Sequence, residues 1–270
     1  MIVVGGVYSE YCYQPDWNQI FGSGGRGAAA LTRLGVEDVK LFTCLPEKSK
    51  KSAQATLAPY GVEIEVRPSA ALYEFAYLHP LSEPTLAPNP EVADAAEPIS
   101  GDVVLAYGML EGLPAISARR AIFDPQSETR CKSPRDFIHA KEIALVLNQR
   151  ELELIFGSEA PEKIAEANVH EGTVCCVVVK RGPFGCTVID KNGVHSIPVF
   201  PTKSVFKIGS GDIFSASFAK FWGIDNMNAP QAAENASKCT SLYCDTRSID
   251  SLSLLSEFSG QSLSVCPKTC

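Results

Sequence analysis

The sequence predicts an α/β fold, a mostly parallel central sheet flanked by helices, and three observations carry that prediction. Short, continuous apolar runs recur along the chain, as strands buried on both faces require. Segments with helical spacing separate them, the alternation expected of a parallel sheet covered by helices. Asn192-Gly193, between two apolar runs, predicts an antiparallel hairpin at a late edge of that sheet.

The elements follow in order. Ile2 to Val4 reads as the first strand, Ala28 to Leu34 as a helix, Val39 to Thr43 as a strand and Ser49 to Tyr60 as a helix. Val103 to Tyr107 predicts a strand, Ser117 to Arg119 a short helix, and Ala121 to Phe123 and Ala144 to Leu147 further strands. Gln149 to Phe156 and Pro161 to Asn168 predict helices, Val174 to Val179 a strand, and Cys186 to Ile189 with Val194 to Ile197 the hairpin. Two excursions interrupt this scheme: Val7 to Ser23, rich in Tyr and polar residues, and the proline-rich stretch from Arg67, with a strand-like Leu72 to Leu78 inside it. No internal repeat or low-complexity linker is present, so residues 1–270 are expected to form a single domain with flap excursions over 7–23 and 67–90.

With 270 residues, 45% hydrophobic and 20% charged, the chain can bury a sizeable core. A net charge of −7 argues against non-specific binding to nucleic acid or to an anionic membrane surface. No apolar stretch has the length of a membrane span or a signal peptide, so a cytoplasmic location is expected. The 10 cysteines are scattered, without a Cys-x-x-Cys pair, and read as mostly reduced and buried, with Cys266 and Cys270 open to adventitious oxidation. His79, His139, His170 and His195 lack zinc-like spacing.

Lys207-Ile208-Gly209-Ser210-Gly211-Asp212 carries the most chemistry. Gly209 and Gly211 allow a sharp turn in which several amide N–H groups point to one spot. Ile213, Phe214, Phe218, Phe221 and Trp222 then recur at helical spacing, so the turn lies at a helix N-terminus, where negative charge is favoured. Asp212 has two readings there. It caps the helix, as Asp does readily, or it takes a proton from a hydroxyl attacking a phosphate held in the turn. A dinucleotide oxidoreductase fits poorly, because Gly5-Gly6-Val7-Tyr8 lacks the required glycine spacing.

Three motifs in order, Gly24-Gly25-Arg26-Gly27-Ala28-Ala29-Ala30 with Leu34-Gly35, Asn148-Gln149-Arg150-Glu151, and Gly209-Ser210-Gly211-Asp212, resemble those of the PfkB, or ribokinase-like, carbohydrate kinases. The resemblance spans nearly the whole chain, and the late motif is its most specific part. It implies a three-layer ribokinase-like fold with a β lid, and an ATP- and Mg2+-dependent kinase acting on a hydroxyl of a small sugar or nucleoside. Carried over, Asp212 is the general base, and the amides of Gly209, Ser210 and Gly211 form the anion hole. Gly24, Gly25 and Arg26 lie on the acceptor side, with Asp124 of Asp124-Pro125-Gln126 lining the cleft. Asn148 and Glu151 match the Asn-x-x-Glu that organises magnesium and nucleotide phosphates, Glu151 acting through water, although the same spacing also forms a capping box. Lys180-Arg181-Gly182-Pro183-Phe184-Gly185 resembles the nucleotide-side Thr-x-Gly-x-x-Gly, so Lys180, Gly182 and Gly185 are assigned to the nucleotide. Asn235 is assigned to the base, against the alternative of a solvated helix face.

The departures are specific. Phe206-Lys207-Ile208 replaces the usual Asp-Thr-Thr, and Lys207 either approaches the phosphates or faces solvent. Ala29 stands where many sugar kinases have Asn, and Glu10 is the nearest match to their sugar-binding Asp. Val7 to Ser23 is short, which predicts a reduced lid. Its aromatics, Tyr8, Tyr11, Tyr13, Trp17 and Phe21, are expected to form a cluster that stacks on a base or sugar or covers a homodimer interface. These departures leave a second reading open, a non-catalytic nucleotide- or nucleoside-binding module that has kept the kinase fold.

Overall fold

The computed structural model describes residues 1–91, 97–126, 133–204 and 206–263. The chain begins β1 (Ile2–Val4), β2 (Ser9–Cys12), β3 (Trp17–Ile20), α1 (Gly22–Arg33), β4 (Lys40–Leu45), α2 (Glu47–Leu57) and β5 (Glu63–Pro68). It continues with β6 (Glu74–Tyr77), β7 (Thr85–Ala87), β8 (Ile99–Tyr107), β9 (Ile116–Asp124) and β10 (Ile138–Asn148). Then come α3 (Gln149–Phe156), α4 (Pro161–His170), β11 (Cys176–Lys180), β12 (Cys186–Asp190), β13 (Gly193–Ile197), α5 (Ser210–Phe218) and α6 (Ala229–Thr246).

Nine strands form the central sheet in the order β13-β12-β11-β10-β9-β8-β1-β4-β5. Every pairing from β11 to β5 is parallel, and the β12–β13 hairpin supplies the antiparallel edge. The continuous apolar runs have a simple cause. Neighbours along a strand point to opposite faces, so Val3, Leu105 and Val178 enter the core under α1, α2, α5 and α6, whereas Val4, Val104 and Val177 enter the one under α3 and α4. Three layers result.

The helix readings depart furthest from the structure at Ser117 to Arg119 and at the start of α1. Ser117 to Arg119, expected as a helix, lies inside β9, where Ala118 pairs with Gly101 on one side and Ala140 on the other. Three residues cannot nucleate a helix against a two-sided ladder. Helix α1 begins at Gly22, earlier than Ala28, and takes the double glycine into its first turns. The Gly24 amide donates to the Gly6 carbonyl at 2.9 Å. A Cβ on Gly24 would lie 2.5 Å from the Gly5 carbonyl, so only glycine lets α1 start against the end of β1.

Both excursions build one second sheet, of four strands in the order β3-β2-β6-β7. Strand β2 pairs antiparallel with β3 and parallel with β6. The aromatics of the first excursion do not gather into one cluster. Tyr8 is buried and donates to Glu111 at 2.9 Å, Tyr11 and Tyr13 meet edge to face, Trp17 packs on Phe206, and Phe21 on Tyr60. Cys266 and Cys270 lie outside the described residues.

Candidate active site

The C-terminal ends of the parallel strands meet the start of α5. Because β4 and β8 flank β1, chain direction across the sheet switches at β1, the place where open α/β sheets bind ligands. Tyr107, Asp124, Asn148 and Lys180 are the last residues of β8, β9, β10 and β11.

Opposite them the glycine turn takes the form its composition requires. Gly209 has φ of 78° and caps α5 through its backbone alone. A Cβ there would lie 2.3 Å from Nε of Arg26. The Tyr107 hydroxyl donates to the Asp212 carbonyl at 2.7 Å, and the Tyr243 hydroxyl to the Ile208 carbonyl at 2.9 Å. The turn is thus pinned from β8 and from α6. Of the amides assigned to the anion hole, that of Ser210 donates to the Lys207 carbonyl at 3.0 Å, and its hydroxyl bonds the same oxygen. This takes Ser210 out of the hole. The Gly209, Gly211 and Asp212 amides have no backbone acceptor among the described residues.

Asp212, 9% exposed, does not cap the helix. Its Oδ2 accepts from Arg26 Nη1 at 2.7 Å and its Oδ1 from Gln126 Nε2 at 2.6 Å. Arg26 is 1% exposed and spans two carboxylates, for Glu10 on β2 also accepts from both of its terminal nitrogens. Burial opposes the Arg26 charge, but Glu10, Tyr243 and Asp212 outweigh it and hold the guanidinium well above its ordinary range. Glu10 and Arg26, assigned to the acceptor, are therefore first of all partners of one another. Tyr77 of β6 lies in the same electrostatic field, its hydroxyl raised chiefly by burial and then by Glu10.

A second polar group lies beside the first. Lys180 Nζ contacts Asp124 Oδ2 at 2.7 Å, and the Ser215 hydroxyl donates to that same oxygen. The ammonium also lies 3.7 Å from the position a Cβ on Gly211 would take. Burial opposes its charge, yet Asp124 and Glu151 overcome this and raise its pKa. Glu151 and Asn148 form a complete capping box: the Asn148 amide donates to Glu151 Oε2 at 2.7 Å, and the Glu151 amide to Asn148 Oδ1 at 2.9 Å. Burial, then Asp124, pushes the Glu151 carboxyl up to about 7.

Glu151 is expected to reach magnesium through water, and the donor set around it does not fit an ion ligated directly by the protein. An ammonium lies against Asp124 in the field of Glu151, and Glu151 spends an oxygen on its own helix. Among the described residues no three Asp, Glu, His or Cys side chains converge as ligands.

The remaining assigned residues are dispersed. Gly25 lies inside α1, where an added Cβ would make ordinary contact with Phe21, Leu57 and Val7. Gly182 and Gly185 both have positive φ, and a Cβ on Gly185 would strike the Ile197 carbonyl at 2.1 Å. Lys207 is exposed, while Asn235 on α6 bonds Met227 Sδ at 3.4 Å. Arg181 is committed to Thr187, Gln149 and Glu162. Sequence reasoning missed Tyr107, Gln126, Ser215 and Tyr243. Ser215 had a readable signal, one helical turn beyond Asp212 on the same face.

Solved structures share this architecture. A Burkholderia thailandensis nucleoside kinase in complex with inosine is 15% identical, covers 93% of this chain and 93% of its own, and superposes with a TM-score of 0.68. Thermotoga maritima ribokinase is 16% identical over 95% of this chain and 99% of its own, TM-score 0.67. Sinorhizobium meliloti adenosine kinase is 11% identical over 95% and 98%, TM-score 0.71. At such identities the likeness is one of fold, and the fold is ribokinase-like. Residues 120–253 match the model of the pfkB family carbohydrate kinases. That match takes in just under half of the chain, residues 120–253 of 270, and makes this stretch similar to kinases of that family, phosphotransferases that act on hydroxyl groups. No curated protein sequence matches it.

Proposed function

We propose that this chain transfers the terminal phosphoryl group of ATP, entering as its magnesium complex, to a hydroxyl of a small sugar or nucleoside. The observation that carries this is the Asp212 carboxylate, oriented by Arg26 and Gln126 at the first turn of α5, beside the Gly211 amide and the Lys180 ammonium. A carboxylate has about four lone-pair sites, so an oxygen holding one donor can still receive a proton. In the reaction Asp212 Oδ takes the proton of the acceptor hydroxyl. That oxygen attacks the terminal phosphorus while the bond to the ADP oxygen breaks. The Gly209, Gly211 and Asp212 amides, with Lys180, face the charge on the transferred group, where preorganised donors lower the barrier most.

Asp212→Asn tests the assignment. The amide keeps the shape and the bond from Arg26 but cannot take a proton, so nucleotide binding should persist and transfer fall about 10²–10⁴-fold. Unchanged turnover with labelled ATP removes Asp212 as the base. Screening sugars and nucleosides for ADP release identifies the acceptor, and binding without turnover for every compound would leave a non-catalytic module instead.

A further inference from the structure

We propose that Lys180 is a built-in cation of the transfer site, standing where carboxylates of the protein would otherwise hold a divalent ion. The inference takes Asp212 and its glycine turn as the phosphoryl-transfer centre, as proposed above. Four observations support it. Lys180 Nζ lies 2.7 Å from Asp124 Oδ2, which Ser215 fixes from α5. The same nitrogen lies against the Gly211 turn, 3.7 Å from where a Cβ would sit. Its field is set by three carboxylates, Asp124, Glu151 and Asp212, from β9, α3 and α5. The last is Asp124 Oδ1: its residue is 1% exposed, yet this oxygen has no hydrogen-bond partner among the described residues. A buried carboxylate with one oxygen unused is suited to a second cation.

The other cations nearby cannot take this part. Arg26 is held by Glu10 and Asp212, and Arg181 by Thr187, Gln149 and Glu162. A lysine, by contrast, is a compact point charge on a flexible stem. It can stay with Asp124 in the resting site and turn toward the phosphoryl group as charge develops there. While it lies against Asp124 in the field of Glu151, its charge repels a divalent ion. The metal that accompanies the nucleotide is then bound by phosphates and water, without a protein carboxylate.

The test needs neither nucleotide nor acceptor. Mn2+ is titrated into the nucleotide-free protein and followed by electron paramagnetic resonance. Wild type should bind no stoichiometric Mn2+, Lys180→Thr should bind one ion per chain, and Lys180→Thr/Glu151→Gln should lose it. Lys180→Arg, which keeps a charge, should bind none. Stoichiometric binding by wild type that Glu151→Gln abolishes overturns the proposal, and so does a folded Lys180→Thr without Mn2+. The wild-type and Glu151→Gln arms can still overturn the proposal if Lys180→Thr fails to fold. With the acceptor in hand, Lys180→Thr should also lower transfer about 10²–10³-fold, the effect of removing one charge-stabilising group. Loss of the kinase reading through Asp212→Asn would leave the Mn2+ result unchanged, so the two failures are separable.

Discussion

Arg26 decides how the centre is held together. Buried and shared between Glu10 and Asp212, it neutralises two carboxylates that would otherwise face one another without compensation. Removing one partner from a buried ion pair costs about 3–5 kcal/mol, because the charge left behind is not solvated. Arg26→Met should therefore destabilise the fold by about that amount in urea unfolding. Adding Glu10→Gln should recover part of the loss, and strictly additive effects would show that the two residues do not act as a pair. Gly209→Ala should fail for a different reason. It places a Cβ at φ of 78° and 2.3 Å from Arg26, so a loss of about 1–3 kcal/mol is expected, with Arg26 pushed off Asp212. Such residue-level geometry was only partly legible. Gly209-Ser210-Gly211-Asp212 announced a turn, a helix start and a carboxylate, because each follows from local chemistry. That Arg26 would reach Asp212 across 186 positions, or that Lys180 would pair with Asp124 across 56, is a property of strand order that no local pattern carries.

At the scale of elements, the lid differs from the body in what its strands bury. Strands β2, β3, β6 and β7 are three or four residues long and mostly half-exposed, while β8, β9 and β10 run nine to eleven residues and carry continuous buried runs in their C-terminal halves. Lid amides should accordingly exchange with solvent well before those of the central strands, since local opening follows buried apolar contact. Trp17 against Phe206 joins β3 to the stretch before α5. An edge-to-face pair contributes about 0.5–1.5 kcal/mol, so Trp17→Ala should speed exchange over Ser9–Cys12 by about two- to tenfold and leave β9 unaffected. Equal acceleration in both sheets would mean that the lid does not open on its own. Long apolar runs made the central strands readable, because a strand buried on both faces admits little else. Ser117 to Arg119 misled because its polar residues sit at the solvent end of β9, where pairing rather than burial fixes the conformation.

For the whole molecule, the site exists only once distant parts of the chain have docked, since its groups come from β2, α1, β8, β9, α3, β11, α5 and α6. Global stability and the ionisation of the centre are then linked. Glu151 provides the handle. Burial first, then Asp124, raise its carboxyl from 4.5 to about 7, against the pull of Lys180 and the Asn148 and Gln126 amides. A carboxyl raised by folding is protonated more readily in the native state than in the unfolded chain. Its contribution to stability is therefore fully present below about 4.5 and is lost as pH rises through about 7. Glu151→Gln keeps an oxygen for the Asn148 amide and removes the titration. Relative to that variant, the urea midpoint of wild type should fall across this window and level off above it. Parallel midpoints from pH 4.5 to 8 would mean that Glu151 is ionised in the fold at its ordinary value, and that the Lys180 ammonium is enough to hold both Glu151 and Asp124 charged.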